Sequence, residues 1–144
     1  MKIYVINGPN LNMLGVREPE IYGKTTYAEL VSLIEEHCAK RGVEAVIYQS
    51  NHEGDLVDKI QEAYFEGAAG IVINPAAYTH TSVALLDALK STRLPAVEIH
   101  ISDVSVREDF RRVSYVRAAV KKTICGKGID GYLEAIDYLC EAVK

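Results

Sequence analysis

The sequence predicts an α/β fold in which a parallel sheet is covered by helices on both faces. Three observations carry this: short apolar, β-branched runs that stop at Asn, Gly or Pro; amphipathic stretches of helical spacing between them; and alternation of the two along the chain. Residues 2 to 6, KIYVI, form the first strand-like run, stopped by Asn7, Gly8 and Pro9. The connection that follows, Gly8 to Lys24, far exceeds the usual length of about 4–6 residues, and connections of that length tend to carry function. Thr26 and Glu29 have capping-box spacing, and Leu30, Val31, Leu33, Ile34 and Cys38 then recur at helical intervals until Gly42. Val43 to Tyr48 reads as a strand, Asp55 to Phe65 as a second helix, and Gly70 to Ile73 as a buried strand closed by Asn74 and Pro75. Thr81 to Leu89 predicts a third helix and Ala96 to Ile101 a fourth strand. A polar stretch, SDVSVREDFRRVS, leads to a fifth strand around Thr123 to Cys125. The last helix, Ile129 to Val143, places Leu133, Ile136, Leu139 and Cys140 on one face. Five such units predict a flavodoxin-like, doubly wound, five-stranded parallel sheet spanning residues 1–144 as one domain, with any site at the carboxyl ends of the strands.

Composition narrows the function classes. Hydrophobic residues make up 49% and charged residues 25% of 144, globular usage that argues against a disordered or collagen-like chain. With 16 basic against 20 acidic residues the net charge is −4, which disfavours a nucleic-acid backbone binder. The cysteines Cys38, Cys125 and Cys140 form no CxxC, so neither a disulfide scaffold nor a zinc knuckle is expected, and a reducing cytoplasmic setting is. The apolar run at the N-terminus is too short for a signal peptide, and no stretch approaches the roughly 20 apolar residues of a membrane span.

The predicted strand ends carry Asn7, Gly8 and Asn10, then Ser50 and Asn51, then Asn74 and His80, then His100 and Ser102. Amides and imidazoles dominate, which suits a small, polar, anionic ligand and proton transfer. His80 and His100 lack the clustered carboxylates of a motif such as HExxH, so no metal is expected. Gly126, Gly128 and Gly131 match GxGxxG, yet no following strand completes the unit or places an acidic residue about 20 positions further on; the glycines read as a tight turn and close packing. The first turn, NGPNLN, has neither the hydroxyl-rich phosphate loop of a flavin carrier nor the acidic cluster of a receiver domain. The long connection also holds Arg17 and Tyr22. A free tyrosine has a pKa near 10, so a base working near pH 7 needs about 4 kcal/mol of preferential phenolate stabilisation, much of which a neighbouring guanidinium can supply. On the residues alone, the reading favoured for the pair is a surface arginine and a tyrosine packed beneath a lid.

Five blocks, INGPNLNMLGVREPEIYG, QSNHEGDLVDKI, INPAAYTHTSVAL, VEIHISD with REDFR, and GKGIDGYLEAI, occur in the order and spacing of the type II 3-dehydroquinate dehydratases. The chain resembles that family over nearly its whole length, and the resemblance reverses the reading of Arg17 and Tyr22. It implies anti elimination of water from 3-dehydroquinate to 3-dehydroshikimate through an enolate, without metal, cofactor or Schiff base. By this resemblance Tyr22, as phenolate, removes the proton beside the ketone, and Arg17 lowers its pKa as the loop closes. Asn10, holding a water, supports the developing oxyanion, and His80 is the general acid for the departing hydroxyl. Glu98 and His100, alternate residues of one strand, resemble the family's supporting pair, and a strand-end salt bridge is the other reading of them.

The resemblance further assigns Asn74 and the backbone amides of Ile101 and Ser102 to the substrate carboxylate and Arg111 to the ring hydroxyls. Arg107 and Arg112, in the same charged run, read as surface or subunit-contact residues. The family forms trimers, four of which make a homododecamer, and Asp87 matches the acidic residue lent to the adjoining subunit's site. Asp103 departs from the asparagine of many relatives; a carboxylate beside an anion pocket would repel substrate, so Asp103 is expected to point away. Two other readings compete. One is a flavodoxin-like binding module without chemistry, which cofactor-free turnover would separate. The other is a Schiff-base enzyme using Lys24, a residue that lacks the apolar surroundings such a lysine needs.

Overall fold

The computed structural model describes residues 1–16 and 18–143. Five parallel strands form one sheet in the order β2-β1-β3-β4-β5. They are β1 (Lys2–Asn7), β2 (Glu44–Gln49), β3 (Gly70–Asn74), β4 (Ala96–His100) and β5 (Lys122–Cys125). This is the doubly wound order with its switch point between β1 and β3, as predicted. Among the described residues the α-helices are α1 (Pro19–Tyr22), α2 (Tyr27–Lys40), α3 (Glu53–Phe65), α4 (Val83–Thr92) and α5 (Asp130–Ala142).

Strand alternation separates two cores. Ile3 and Val5 of β1, Val72 of β3 and Val97 and Ile99 of β4 face α2 and α5. Tyr4 and Ile6 of β1, Ile71 and Ile73 of β3 and Ala96 of β4 face α3 and α4. The central strands are buried throughout, as a sheet covered on both sides requires. The α2 start follows its capping signal: Thr26 Oγ1 accepts from the Glu29 N–H at 3.1 Å and donates to the Glu29 carboxylate at 3.2 Å. On α5 the buried stripe is Tyr132, Ala135, Ile136, Leu139 and Cys140, so Tyr132 takes the place expected for Leu133, which is half-buried. Truncating one such fully buried leucine, Leu139→Ala, is worth about 2–5 kcal/mol.

Two features differ from the sequence reading. The long first connection is not open loop: it holds a 3-10 turn at Leu11–Met13 and the single-turn α1, which begins with Pro19 at its first helical position. The polar stretch after β4 folds into successive 3-10 turns, Val104–Val106, Asp109–Arg112 and Val116–Ala119. The GxGxxG glycines behave as turn and packing residues. Gly126 and Gly128 have φ of +75° and +61°, and a Cβ on Gly131 would lie 2.4 Å from Ile99 Cδ1.

Candidate active site

A cavity opens at the carboxyl ends of β1, β3 and β4, where the fold places ligand sites. Its walls bring together Asn10, Tyr22, Asn74, His80, His100, Ile101, Ser102, Arg107 and Arg111. Strand register builds the floor. Asn7 lies opposite Asn74, and the Gly8 N–H donates to the Asn74 carbonyl at 2.8 Å, which presses the first loop against the end of β3. Asn10 adopts a left-handed φ of 70° and is held by its N–H donating to Asn51 Oδ1 at 3.0 Å. Side-chain amides tolerate that conformation better than most residues.

Glu98 and His100 share one face of β4, as expected, and join through a 2.5 Å contact between His100 Nε2 and Glu98 Oε2. Glu98 is fully buried. It also accepts from the Ser114 hydroxyl at 2.7 Å and from Thr123, its register partner on β5, at 3.0 Å, with Arg117 Nε at 3.6 Å. Burial alone pushes its carboxyl upward, but His100, Ser114 and Arg117 outweigh that and hold it below the ordinary carboxylate value. Two hydroxyl donors leave the carboxylate as acceptor, so the His100 Nε2–H donates to it.

His80 stands differently. Its Nδ1 lies 2.7 Å from the Val113 carbonyl oxygen, which fixes the proton on Nδ1. Burial, with the adjacent positive fields of His100 and Arg111, lowers its pKa from 6.5 against the opposing pull of Val113 and Glu98. A neutral His80 therefore offers Nε2 as an acceptor.

Arg107 corrects the sequence reading. Expected at the surface or a subunit contact, it lines the cavity, and its Nη1 donates to Tyr22 Oη at 2.6 Å, with the guanidinium carbon 5.4 Å from the ring centroid. The cause is the turn Val104–Val106, which ends at Arg107 and whose start Asp103 caps by accepting from the Ser105 N–H and hydroxyl. Asp103 thus has its carboxylate committed to Ser105; it does not line this cavity but lines the adjoining one, which shares Tyr22, Ser102 and Arg107 with it. Arg112 is exposed and lies 3.6 Å from Asp109, in keeping with a surface role. Arg111 reaches the cavity with its Nε donating to Glu108 at 2.6 Å. Arg17 lies outside the described residues. Asp87 is exposed on α4, away from its own chain's cavity, and Lys24 is exposed and lines no part of it. Among the described residues no three His, Cys, Asp or Glu side chains gather as a metal site.

Fold and cavity define a doubly wound α/β protein whose site holds a phenol, two imidazoles, amides and guanidiniums, a set suited to proton transfer on a small anion. The model of the class II dehydroquinases matches residues 1–140. The 3-dehydroquinate dehydratase of Acidovorax ebreus (strain TPSY) is 54% identical, over 96% of this chain and 97% of that protein. The crystal structure of the type II dehydroquinase of Butyrivibrio crossotus superposes with a TM-score of 0.96 at 54% identity, covering 97% of each chain. That of Propionibacterium acnes does so with 0.93 at 40% identity, over 97% of this chain and 96% of its own. The chain belongs to the class II dehydroquinase family.

Proposed function

We propose the following course for the dehydration of 3-dehydroquinate to 3-dehydroshikimate, the shikimate-pathway reaction to which family membership assigns this chain. Tyr22 is the base. The observation that carries this is the Arg107–Tyr22 hydrogen bond inside the cavity, since a guanidinium donating to the phenol oxygen stabilises negative charge there. Phenolate oxygen takes the proton beside the ketone, the electron pair moves onto the carbonyl, and a water held by Asn10 supports the enolate oxygen. Arg17 adds positive charge at the phenol by the family resemblance. Collapse of the enolate then expels the tertiary hydroxyl, which leaves as water after protonation.

For that last proton the geometry favours His100 over His80, the reverse of the sequence expectation. The buried Glu98 carboxylate holds and orients the His100 ring at the cavity wall, whereas His80 is disfavoured as a cation and presents a bare acceptor nitrogen to a substrate hydroxyl. Asn74 and the backbone N–H groups of Ile101 and Ser102 bind the carboxylate, and Arg111 binds ring hydroxyls. No step requires a metal, a cofactor or a lysine adduct. Turnover of 3-dehydroquinate by the metal-stripped protein, followed as enone ultraviolet absorbance, tests the reading; absence of turnover would leave a binding module.

The assembly belongs to the same proposal: a homododecamer of four trimers in which Asp87 reaches the adjoining subunit's site. Support comes from exposed apolar residues on and near α4, namely Val83, Phe110, Val113 and Tyr115. Sedimentation of the free protein tests it. The unpaired Cys38, Cys125 and Cys140 support a cytoplasmic location. No helix among the described residues is long and apolar enough to cross a membrane.

A further inference from the structure

The GKGIDGY block acquires no role from the chemistry above, yet its tyrosine ends directly beneath the cavity. Tyr132, at the start of α5, is completely buried, and its hydroxyl sits between two register partners, Asn7 at the end of β1 and Asn74 at the end of β3. It donates to Asn7 Oδ1 at 2.7 Å and accepts from Asn74 Nδ2 at 2.9 Å. Asn7 in turn donates through Nδ2 to the Tyr27 hydroxyl at 3.4 Å.

The remaining bonds fix which way the Asn74 amide faces. Asn74 Oδ1 accepts the Ala76 N–H at 3.1 Å, and Ala76 holds a left-handed φ of 54° that a non-glycine residue adopts only when its surroundings impose it. Turning the amide over would set Nδ2 against the Ala76 N–H, donor to donor, and Oδ1 against a tyrosine oxygen whose proton is already given to Asn7. With Oδ1 and one N–H of Nδ2 committed, Asn74 has one N–H left for the cavity it lines. That group is a donor, as a carboxylate requires.

We propose that Tyr132 is a positioning residue for the anion pocket: held between Asn7 and Asn74, its hydroxyl orients the Asn74 amide so that the free N–H faces the substrate carboxylate. Two further observations agree. Burial pushes the Tyr132 phenol above its ordinary value, so it stays a neutral O–H donor and takes no part in proton abstraction. The glycine before it leaves α5 room against β4, since a Cβ at Gly131 would lie 2.4 Å from Ile99 Cδ1 and force that side chain to shift.

The inference rests on the reading of Asn74 as a carboxylate ligand, and a double-mutant cycle separates the two. Asn74→Ala, Tyr132→Phe and the double variant are compared in kcat and KM for 3-dehydroquinate, with far-ultraviolet circular dichroism as a check on folding. Asn74→Ala is expected to raise KM by about tenfold or more, and Tyr132→Phe by about tenfold with kcat within about threefold. In the Asn74→Ala background the tyrosine change is expected to add less than about twofold, because the group it orients is gone. An unchanged KM in Tyr132→Phe, or the same loss with and without Asn74, overturns the proposal and leaves Tyr132 a core residue only. An unchanged KM in Asn74→Ala overturns the carboxylate reading itself and the inference with it. Should Tyr132→Phe fail to fold, Asn7→Ala serves, since Asn7 does not line the cavity. It removes the acceptor that orients the hydroxyl; a raised KM supports the proposal and an unchanged one refutes it.

Discussion

Glu98 and His100, two positions apart on β4, meet through a 2.5 Å hydrogen bond in which the imidazole donates to a fully buried carboxylate. A buried carboxylate with four polar neighbours is costly to leave unpaired, so the pair is a stability determinant as well as a candidate proton source.

The stability consequence has a definite sign. The folded Glu98 carboxyl lies below its ordinary value of 4.5, so the unfolded state takes up a proton first on acidification. Its contribution is complete above the ordinary carboxylate range and is lost as pH falls through the lowered folded value. Urea midpoints measured between pH 7 and pH 3 should drop more steeply for the natural protein than for Glu98→Gln. Parallel curves would mean that Glu98 has the same proton affinity folded and unfolded.

Histidine roles separate by kinetics. His100→Ala removes the proposed proton donor and is expected to lower kcat by about 100-fold or more. His80→Ala removes an acceptor for substrate and should act mainly by raising KM, about tenfold. If His80→Ala instead abolishes kcat while His100→Ala spares it, the sequence-based assignment of the acid stands and the one drawn from the hydrogen bonds falls.

Close backbone approach at the site floor predicts a steric cost. A Cβ on Gly8 would lie 2.4 Å from the Pro75 carbonyl oxygen, a backbone atom that cannot rotate aside. Gly8→Ala is therefore expected to destabilise by about 1–3 kcal/mol, read from denaturant midpoints, and to depress turnover by displacing Asn10. A variant of unchanged stability would show that the β1 and β3 loops separate freely.

Tyr22→Phe keeps the ring and removes the oxygen that Arg107 contacts. Turnover should fall by about 100-fold or more with the melting temperature nearly unchanged, since Tyr22 is only half-buried. Near-normal turnover would remove the tyrosine from the mechanism.

The architecture was legible because burial periodicity is a local property: each strand and helix after α1 lies within about two residues of its expected limits, apart from the C-terminal end of α4 at Thr92. Thr26 and Glu29 announced α2 by their own side chains. What escaped depends on chain segments far apart. Arg107 looked like one more arginine in a charged run, and only the fold brings it across 85 positions to Tyr22. Its four-residue spacing from Arg111, which also lines the cavity, was the available hint. The His80 tautomer was hidden for the same reason, since the Val113 carbonyl that sets it comes from a distant turn. Tyr132 was passed over because the helical pattern fits Leu133 nearly as well, and an aromatic residue with a buried polar tip is not distinguished by hydropathy.

The split between kcat and KM in Arg107→Ala tests the central claim most directly, that a guanidinium at the phenol oxygen supports Tyr22 as the base. Taking away that donor removes a hydrogen bond from the reacting oxygen, so kcat should fall by about 100-fold or more while KM changes little. An unchanged kcat, with only KM raised, would contradict the account and reduce Arg107 to a substrate-binding residue.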